Sequence, residues 1–301
     1  MLRRLADYRK WWYALSLLLI VPGTISLVLF GLRLGIDFTG GSLIEIKAPA
    51  GIDADEVRDA FGDKYGDPVV QSTSAGTYQV RVKQLDPEQH NDLLASARKT
   101  LGPQAEELRF ETVGPSISEE LRNKAFLSVG LGSLLILLYI AYAFRNVPKP
   151  ASSWRFGTTT IVTLLHDILF TLGAFSLLGY FTGMEVDATF VAALLTAVGY
   201  SVHDTIVVFD RIRENLIKRP GRRFVDTVNY SIAQTLVRSL NTSLTLILVL
   251  VAMYLFGGES LHAFVLALLL GTLIGTYSSI FNAAPLLVSW QLWAEKRSRQ
   301  D

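Results

Sequence analysis

Half of the 301 residues are apolar, 18% are charged, and the formal net charge is only +1. Charges gather in blocks between apolar runs, which is a membrane-class composition, and so small a net charge excludes bulk attraction to nucleic acid. The absence of cysteine removes disulfides, thiolate metal sites and cysteine nucleophiles, and nothing in the chain calls for a metal or a cofactor.

In chain order, residues 1–34 place Arg3, Arg4, Arg9 and Lys10 before a first apolar run, 13–34. That run is too long for a signal peptide and no small-residue cleavage site follows it, so it reads as an anchoring helix. Further runs at 124–144, 158–180, 188–209, 239–256 and 263–283 are each long enough, at about 1.5 Å per residue, to cross about 30 Å of hydrocarbon. The membrane part is therefore expected to be an all-α six-helix bundle. Its first helix lies in 1–34 and the other five in 124–290, with a tail at 291–301.

Orientation follows from Lys and Arg in the short segments, which concentrate on the cytoplasmic side. The N-terminus has four, 145–157 has Arg145, Lys149 and Arg155, 210–235 has six, and the tail has Lys296, Arg297 and Arg299, whereas 181–187 and 257–262 have none. Both termini are thus expected in the cytoplasm, with residues 35–123 outside.

Residues 35–123 are too charged for lipid and too patterned for a linker. Strand-like runs at Ser42–Lys47, Val69–Thr73, Thr77–Lys83 and Leu108–Val113 alternate with helical candidates at Asp53–Lys64 and Pro87–Leu101, in the order βαββαβ. Asp53 and Asp86 are N-cap candidates, and Ala75-Gly76 is a hairpin turn. The order predicts an α+β domain of ferredoxin-like type, a four-stranded antiparallel sheet backed by two helices, which serves unrelated functions. Sixteen acidic residues against eight basic ones between Asp37 and Glu120 read first as a solvated surface. At the start of this segment Gly35, Gly40 and Gly41 form either a hinge for the outer domain or a tight turn at the membrane surface.

Ionisable residues within the spans are functional candidates because burying them in hydrocarbon is unfavourable unless they are paired or wetted. His166 and Asp167 fall near the middle of the third span, Asp204 lies toward the cytoplasmic end of the fourth with His203 beside it, and Arg238 opens the fifth. An Asp204–Arg238 ion pair between neighbouring helices is geometrically possible. Burial favours the neutral carboxyl and a nearby Arg the ionised one, so the two together make a group able to take and release a proton. The plainer readings are a snorkelling Arg238, a static Asp204, a packed His166 and a solvated cluster at Asp210, Arg211, Arg213 and Glu214. Gly271 with Gly275, and more loosely Gly199 with Ser201, are small-residue pairs for helix packing. The tract Arg219, Arg222 and Arg223 is placed to touch anionic lipid or a cytosolic partner, although topology alone accounts for it.

Four stretches carry a resemblance: Gly35-Ile-Asp-Phe-Thr-Gly-Gly41, Val113-Gly-Pro-Ser-Ile-Ser118, Val198-Gly-Tyr-Ser-Val-His-Asp-Thr-Ile-Val-Val-Phe-Asp-Arg-Ile-Arg-Glu-Asn215 and Gln234-Thr-Leu-Val-Arg-Ser-Leu-Asn-Thr-Ser243. In this order and topology the chain resembles the SecF subunits of bacterial SecD–SecF protein-export complexes, over nearly its whole length. The resemblance implies an RND-type half-transporter that joins six SecD helices and couples proton flow to late steps of export. Its implied partners are SecD, the SecYEG translocation channel and unfolded exported chains. By position, Asp204 matches the family's ion-coupling aspartate and Arg238 the arginine of the fifth span, Asp167 sits in a similar place, and His203 departs from an expected Asn. Two other classes fit the same residues: a scaffold subunit without ion movement, and an intramembrane aspartyl hydrolase written on Asp167 and Asp204. An Arg beside Asp204 argues against the shared-proton dyad that a hydrolase needs. Proton and sodium both remain open as the coupling ion.

Overall fold

The computed structural model describes residues 2–49, 51–73, 76–145, 147–148 and 152–297. The chain divides into two compact units, Leu34–Leu127 and a second made of Met1–Arg33 with Ser128–Asp301. A short 3-10 segment, Leu2–Tyr8, leads into α1 (Arg9–Leu29). The first unit then runs α2 (Ile36–Thr39), β1 (Gly41–Lys47), α3 (Ala54–Phe61), β2 (Val69–Ser72), β3 (Thr77–Val82), α4 (Pro87–Leu101) and β4 (Glu106–Val113). The long helices are α5 (Pro115–Ala143), α6 (Ser153–Thr182), α7 (Ala188–Lys218), α8 (Phe224–Phe256) and α9 (His262–Ser278). A π-helical turn, Ser279–Ala283, joins α9 to α10 (Ala284–Arg297).

In the Leu34–Leu127 unit the strands alternate as a half-buried sheet must. Ile44, Ile46, Val70, Val80 and Val82 turn to one face and pack with Val57 and Phe61 of α3 and Leu93, Leu94 and Ala97 of α4. The sheet order is β2-β3-β1-β4 with every pairing antiparallel, and Ile44 stands opposite both Val80 and Phe110. Both helices start where an Asp permits. Asp53 accepts from the Glu56 N–H at 2.8 Å while Glu56 accepts from the Asp53 N–H at 3.1 Å. Asp86 and Gln89 form the same reciprocal box at 2.8 and 3.0 Å, which satisfies two otherwise orphaned N–H groups at each end. Of the expected hairpin turn, Gly76 has φ +73° and Ala75 lies outside the described residues. Gly40 and Gly41 also have positive φ, and a Cβ on Gly41 would come within 2.8 Å of the Val82 carbonyl oxygen. These two glycines are therefore required by a turn and a close backbone approach.

Among the described residues six helices are long and apolar enough to cross a membrane, the sixth being the continuous run His262–Arg297. Most outrun the apolar stretches in the sequence. The 210–235 segment, expected as a loop, is helical except at 219–223. Its charges are held in helical pairs, Arg211 and Lys218 each 2.6 Å from Glu214, while Asn215 donates to Ser231 and Gln234 across α7 and α8. Hydropathy registers only the apolar part of such a helix; the polar extension is stabilised by neighbours instead. Lys149 and Arg299 of the expected basic segments lie outside the described residues.

Two crossings bring backbones close, at three glycines. A Cβ on Gly23 of α1 would lie 2.9 Å from Gly173 Cα of α6, one on Gly271 would lie 2.4 Å from Ala197 Cβ, and one on Gly275 would lie 2.7 Å from Ser201 Cβ. Gly271 and Gly275 thus set the α7–α9 packing, as small residues do in membrane bundles. Gly199 does not join them: its Cβ position has no neighbour within 4 Å, because it is exposed while Ala197 and Ser201 point inward. Beyond these crossings the core closes on Phe144, Phe156 and Phe209, whose ring centroids lie 4.9–6.0 Å apart.

Candidate functional site

A chain of polar side chains runs through the middle of the bundle. Asp204 of α7 is 7% exposed and accepts one hydrogen bond at each oxygen, from Ser239 of α8 at 2.6 Å and from Ser279 of the π turn at 2.7 Å. Asp167 of α6 is 4% exposed. Its Oδ1 accepts from His166 Nδ1 at 2.8 Å, and its Oδ2 accepts from Ser278 at 2.8 Å and, over a shorter contact, from Ser201. On the far side of the imidazole, Nε2 lies 3.1 Å from Ser16 Oγ and 3.0 Å from Asn282 Nδ2. Asn282 also donates to Ser16 at 2.6 Å, and its own Oδ1 is buried without a partner among the described residues.

The helices position these groups through their period. Asp204 and Ser201 share the inward face of α7, three residues apart, so that one meets α8 and the π turn while the other meets α6. Ser239 meets Asp204, and Ser243, one turn on, takes part in hydrogen bonds with Tyr200 and Thr276 at 3.1 and 2.7 Å. The junction of α9 with the π turn supplies neighbouring side chains to different helices, Ser278 at the end of α9 to α6 and Ser279 at the start of the π turn to α7. Single π turns inside α-helices recur at functional sites.

The expected Asp204–Arg238 pair is not what joins α7 to α8. Arg238 is exposed on α8, and among the described residues no ion pair or hydrogen bond links it to Asp204. One position along the helix is a turn of about 100°, and it is Ser239 that occupies the inward face. His203 is likewise exposed. Asp167 and Asp204 are held by separate donors, and among the described residues no hydrogen bond joins the two carboxyls as in a hydrolytic dyad. At the helix end Arg213 and Asp210 lie 3.8 Å apart and Arg211 pairs with Glu214; of this charge cluster Asp210 is exposed and the other three are half-buried. A search for ionisable residues passes over Ser16, Ser201, Ser239, Ser278, Ser279 and Asn282. Their sequence signal is a hydroxyl or amide recurring inside an otherwise apolar span, as in Ser239 and Ser243 or the doublet Ser278–Ser279.

These features define a multi-pass membrane protein whose spans enclose hydrogen-bonded acidic groups. Residues 93–293 match the family described as protein export membrane protein SecD/SecF, C-terminal, and residues 25–48 match the SecD/SecF GG motif. The chain is 49% identical over 300 residues to the protein translocase subunit SecF of Thermobaculum terrenum, covering 95% of this chain and 94% of that one. It is 40% identical over 292 residues to SecF of Anaerolinea thermophila, covering 94% and 92%. Against the SecDF subunit of Bacillus subtilis it is 34% identical over 94% of its own length and 37% of the other. The crystal structure of SecDF from Thermus thermophilus superposes with a TM-score of 0.84 at 35% identity, covering 95% of this chain and 38% of that chain. This chain therefore spans well under half of the SecDF proteins it matches. It belongs to the SecF family of protein translocase subunits.

Proposed function

We propose that the chain is the SecF half of a SecD–SecF unit, in which protonation of Asp204 shifts the packing of the bundle and drives late steps of export. As a SecF-family member it is an accessory subunit of Sec protein export, and SecD is its partner, because relatives carry both halves in one SecDF chain. The observation that carries the ion-coupling reading is Asp204 itself, a carboxylate buried inside a membrane span and held by two serine hydroxyls with no cation among them. A hydroxyl can donate to a carboxylate or accept from a carboxylic acid, so the site accommodates both charge states with a rearrangement of donors. Two packings that differ by a few kcal/mol suffice for a switch, and one charge crossing 100 mV supplies about 2.3 kcal/mol.

Arg238 enters this mechanism from the outer face of α8. An exposed guanidinium at that depth calls for a counter-charge or water on the surface that covers it, which on this reading is the SecD half. His203 and Gly199 lie exposed on α7 and belong to the same covered face. The Leu34–Leu127 unit is the extracytoplasmic, ferredoxin-like domain, with both termini in the cytoplasm. Gly35, Gly40 and Gly41 give it a pivot as well as a turn, and the basic cytoplasmic segments face anionic lipid. SecYEG and the emerging unfolded chain are the further partners.

A scaffold role draws on the same hydrogen bonds, since both carboxylates are fully satisfied as they stand. Proteoliposomes holding the chain with SecD and the channel separate the two readings. The Asp204→Asn substitution keeps the shape, and the expected result is loss of proton-dependent export with assembly intact. Export at the unaltered rate removes Asp204 as a carrier, and loss of assembly favours the scaffold.

A further inference from the structure

The last span touches the two buried carboxylates, Asp167 and Asp204, and the half-buried His166 within five residues. Ser278 donates to Asp167, Ser279 donates to Asp204, and Asn282 lies 3.0 Å from His166 Nε2. These contacts fall at the one place where that span leaves α-helical geometry, the π turn Ser279–Ala283. Ser278 and Ser279 are fully buried and Asn282 is 7% exposed. No other element reaches both carboxylates through adjacent residues among the described contacts.

From this juxtaposition we infer that Ser278, Ser279 and Asn282 are positioning residues that couple Asp167 and His166 to Asp204, so that the charge state of one carboxylate sets how firmly the other is held. The inference rests on the proton-coupled reading above and deepens it by adding a second responsive group. Neutralising Asp204 removes the charge that holds Ser279. A π turn adds a residue to the helical repeat, and once released it can relax toward the α register. Because Ser278 adjoins Ser279, that relaxation withdraws its donor from Asp167. Asp167 then keeps His166 and Ser201 but loses one of the bonds that favour its charged form. Asn282 supplies the matching device at His166. Its Nδ2 lies against Nε2 and can donate there only to a nitrogen without a proton, whereas a doubly protonated imidazole needs an acceptor, which the buried Oδ1, without a partner among the described residues, provides when the amide turns by 180°. Among the described residues, the titratable groups facing His166 are Asp167 on its own helix and Tyr277 of α9, whose ring centroid lies 6.4 Å away.

The test uses the purified full chain in lipid nanodiscs and dicyclohexylcarbodiimide, which adds to protonated carboxyls in apolar surroundings. Adducts at Asp167 and Asp204 are quantified by peptide mass spectrometry under conditions where their rate follows the protonated fraction. In Asp204→Asn the Asp167 adduct is expected to form about fivefold faster or more, the lower end of usual site-to-site coupling, and linkage requires Asp167→Asn to speed the Asp204 adduct by the same factor. Removal of a negative charge acting only through space has the opposite sign and slows labelling. The acceleration is expected to vanish in the Ser278→Ala, Ser279→Ala double variant, with circular dichroism used to exclude misfolded samples. Unchanged or slower labelling of Asp167 in Asp204→Asn overturns the inference, as does acceleration that survives loss of both serines. Labelling requires neither a gradient nor export. Absence of the cross-effect while Asp204→Asn still blocks proton-dependent export would therefore sink the coupling role and leave the proposed function standing.

Discussion

Replacing Gly271 by alanine places a methyl 2.4 Å from the Ala197 Cβ, where carbons at optimal separation lie about 3.5–4.0 Å apart. The atom it meets is fixed to the α7 backbone, so relief requires α9 to move away from α7 rather than a side chain to swing aside. Overpacking of this kind destabilises by about 1–3 kcal/mol, and the rigid neighbour argues for the upper half of that range. Against this, alanine is a better helix former than glycine by about 1 kcal/mol. The net expectation for Gly271→Ala is a loss of about 1–2 kcal/mol. Gly199→Ala is the internal control: with nothing within 4 Å of its Cβ position, it should gain about 0.4–1 kcal/mol. Unfolding the isolated chain from mixed micelles with increasing SDS, followed by far-ultraviolet circular dichroism, measures both on one scale. If Gly271→Ala proves as stable as Gly199→Ala, close packing of α7 on α9 is not what that glycine serves.

Three further outcomes are expected. The Leu34–Leu127 unit expressed alone folds with the dichroism of mixed helix and strand, and Asp86→Ala lowers its stability by about 1 kcal/mol through loss of the N-cap; a disordered spectrum would refute its independence. Lys64 and Tyr65 hydrogen-bond to Asp92 and hold its carboxyl below the ordinary value of 3.8. A depressed carboxyl stabilises the fold above that value and ceases to do so as pH falls through the folded one. Lys64→Met should therefore differ from wild type in urea midpoint at neutral pH and converge with it in acid; a gap that persists at low pH would contradict the pairing. Cysteines introduced into this cysteine-free chain at Ser96 and Lys218 should react with an impermeant thiol reagent from outside and only after permeabilisation, respectively, and the reverse pattern would invert the orientation.

What the sequence disclosed, and what it hid, follows the range of the forces involved. Capping boxes, strand alternation and turn glycines are local, so Asp53, Asp86 and the six elements between Gly41 and Val113 were legible within a residue or a few at their ends. Apolar runs located every span but shortened most of them, because the polar ends of α7 and α8 are held by Asn215, Ser231 and Gln234 across the two helices. The ionisable residues of the site announced themselves by their rarity in hydrocarbon. Their partners did not, because a serine inside a span is unremarkable until the fold places a carboxylate beside it. Arg238 shows the limit most clearly: similar depth in neighbouring spans made an ion pair with Asp204 possible, whereas helix phase turned Ser239 inward in its place. The Gly23–Gly173 crossing was missed because the pairing joins distant parts of the chain, and no spacing rule within either helix reports it.

That crossing bears on how the chain is put together. Residues far apart in sequence lie backbone to backbone at Gly23 and Gly173, Ser26 and Ser176 share a hydrogen bond of 2.8 Å one turn further on, and Tyr13 meets Ser289 at 2.9 Å. The opening helix is therefore seated in the bundle by its own contacts and not merely tethered by the segment that follows it. In sequence, residues 34–114 are inserted between that seated helix and α5. A protease cut within them would leave two pieces that still travel as one, and evolution can lengthen, shorten or exchange the insertion without unseating the helix before it.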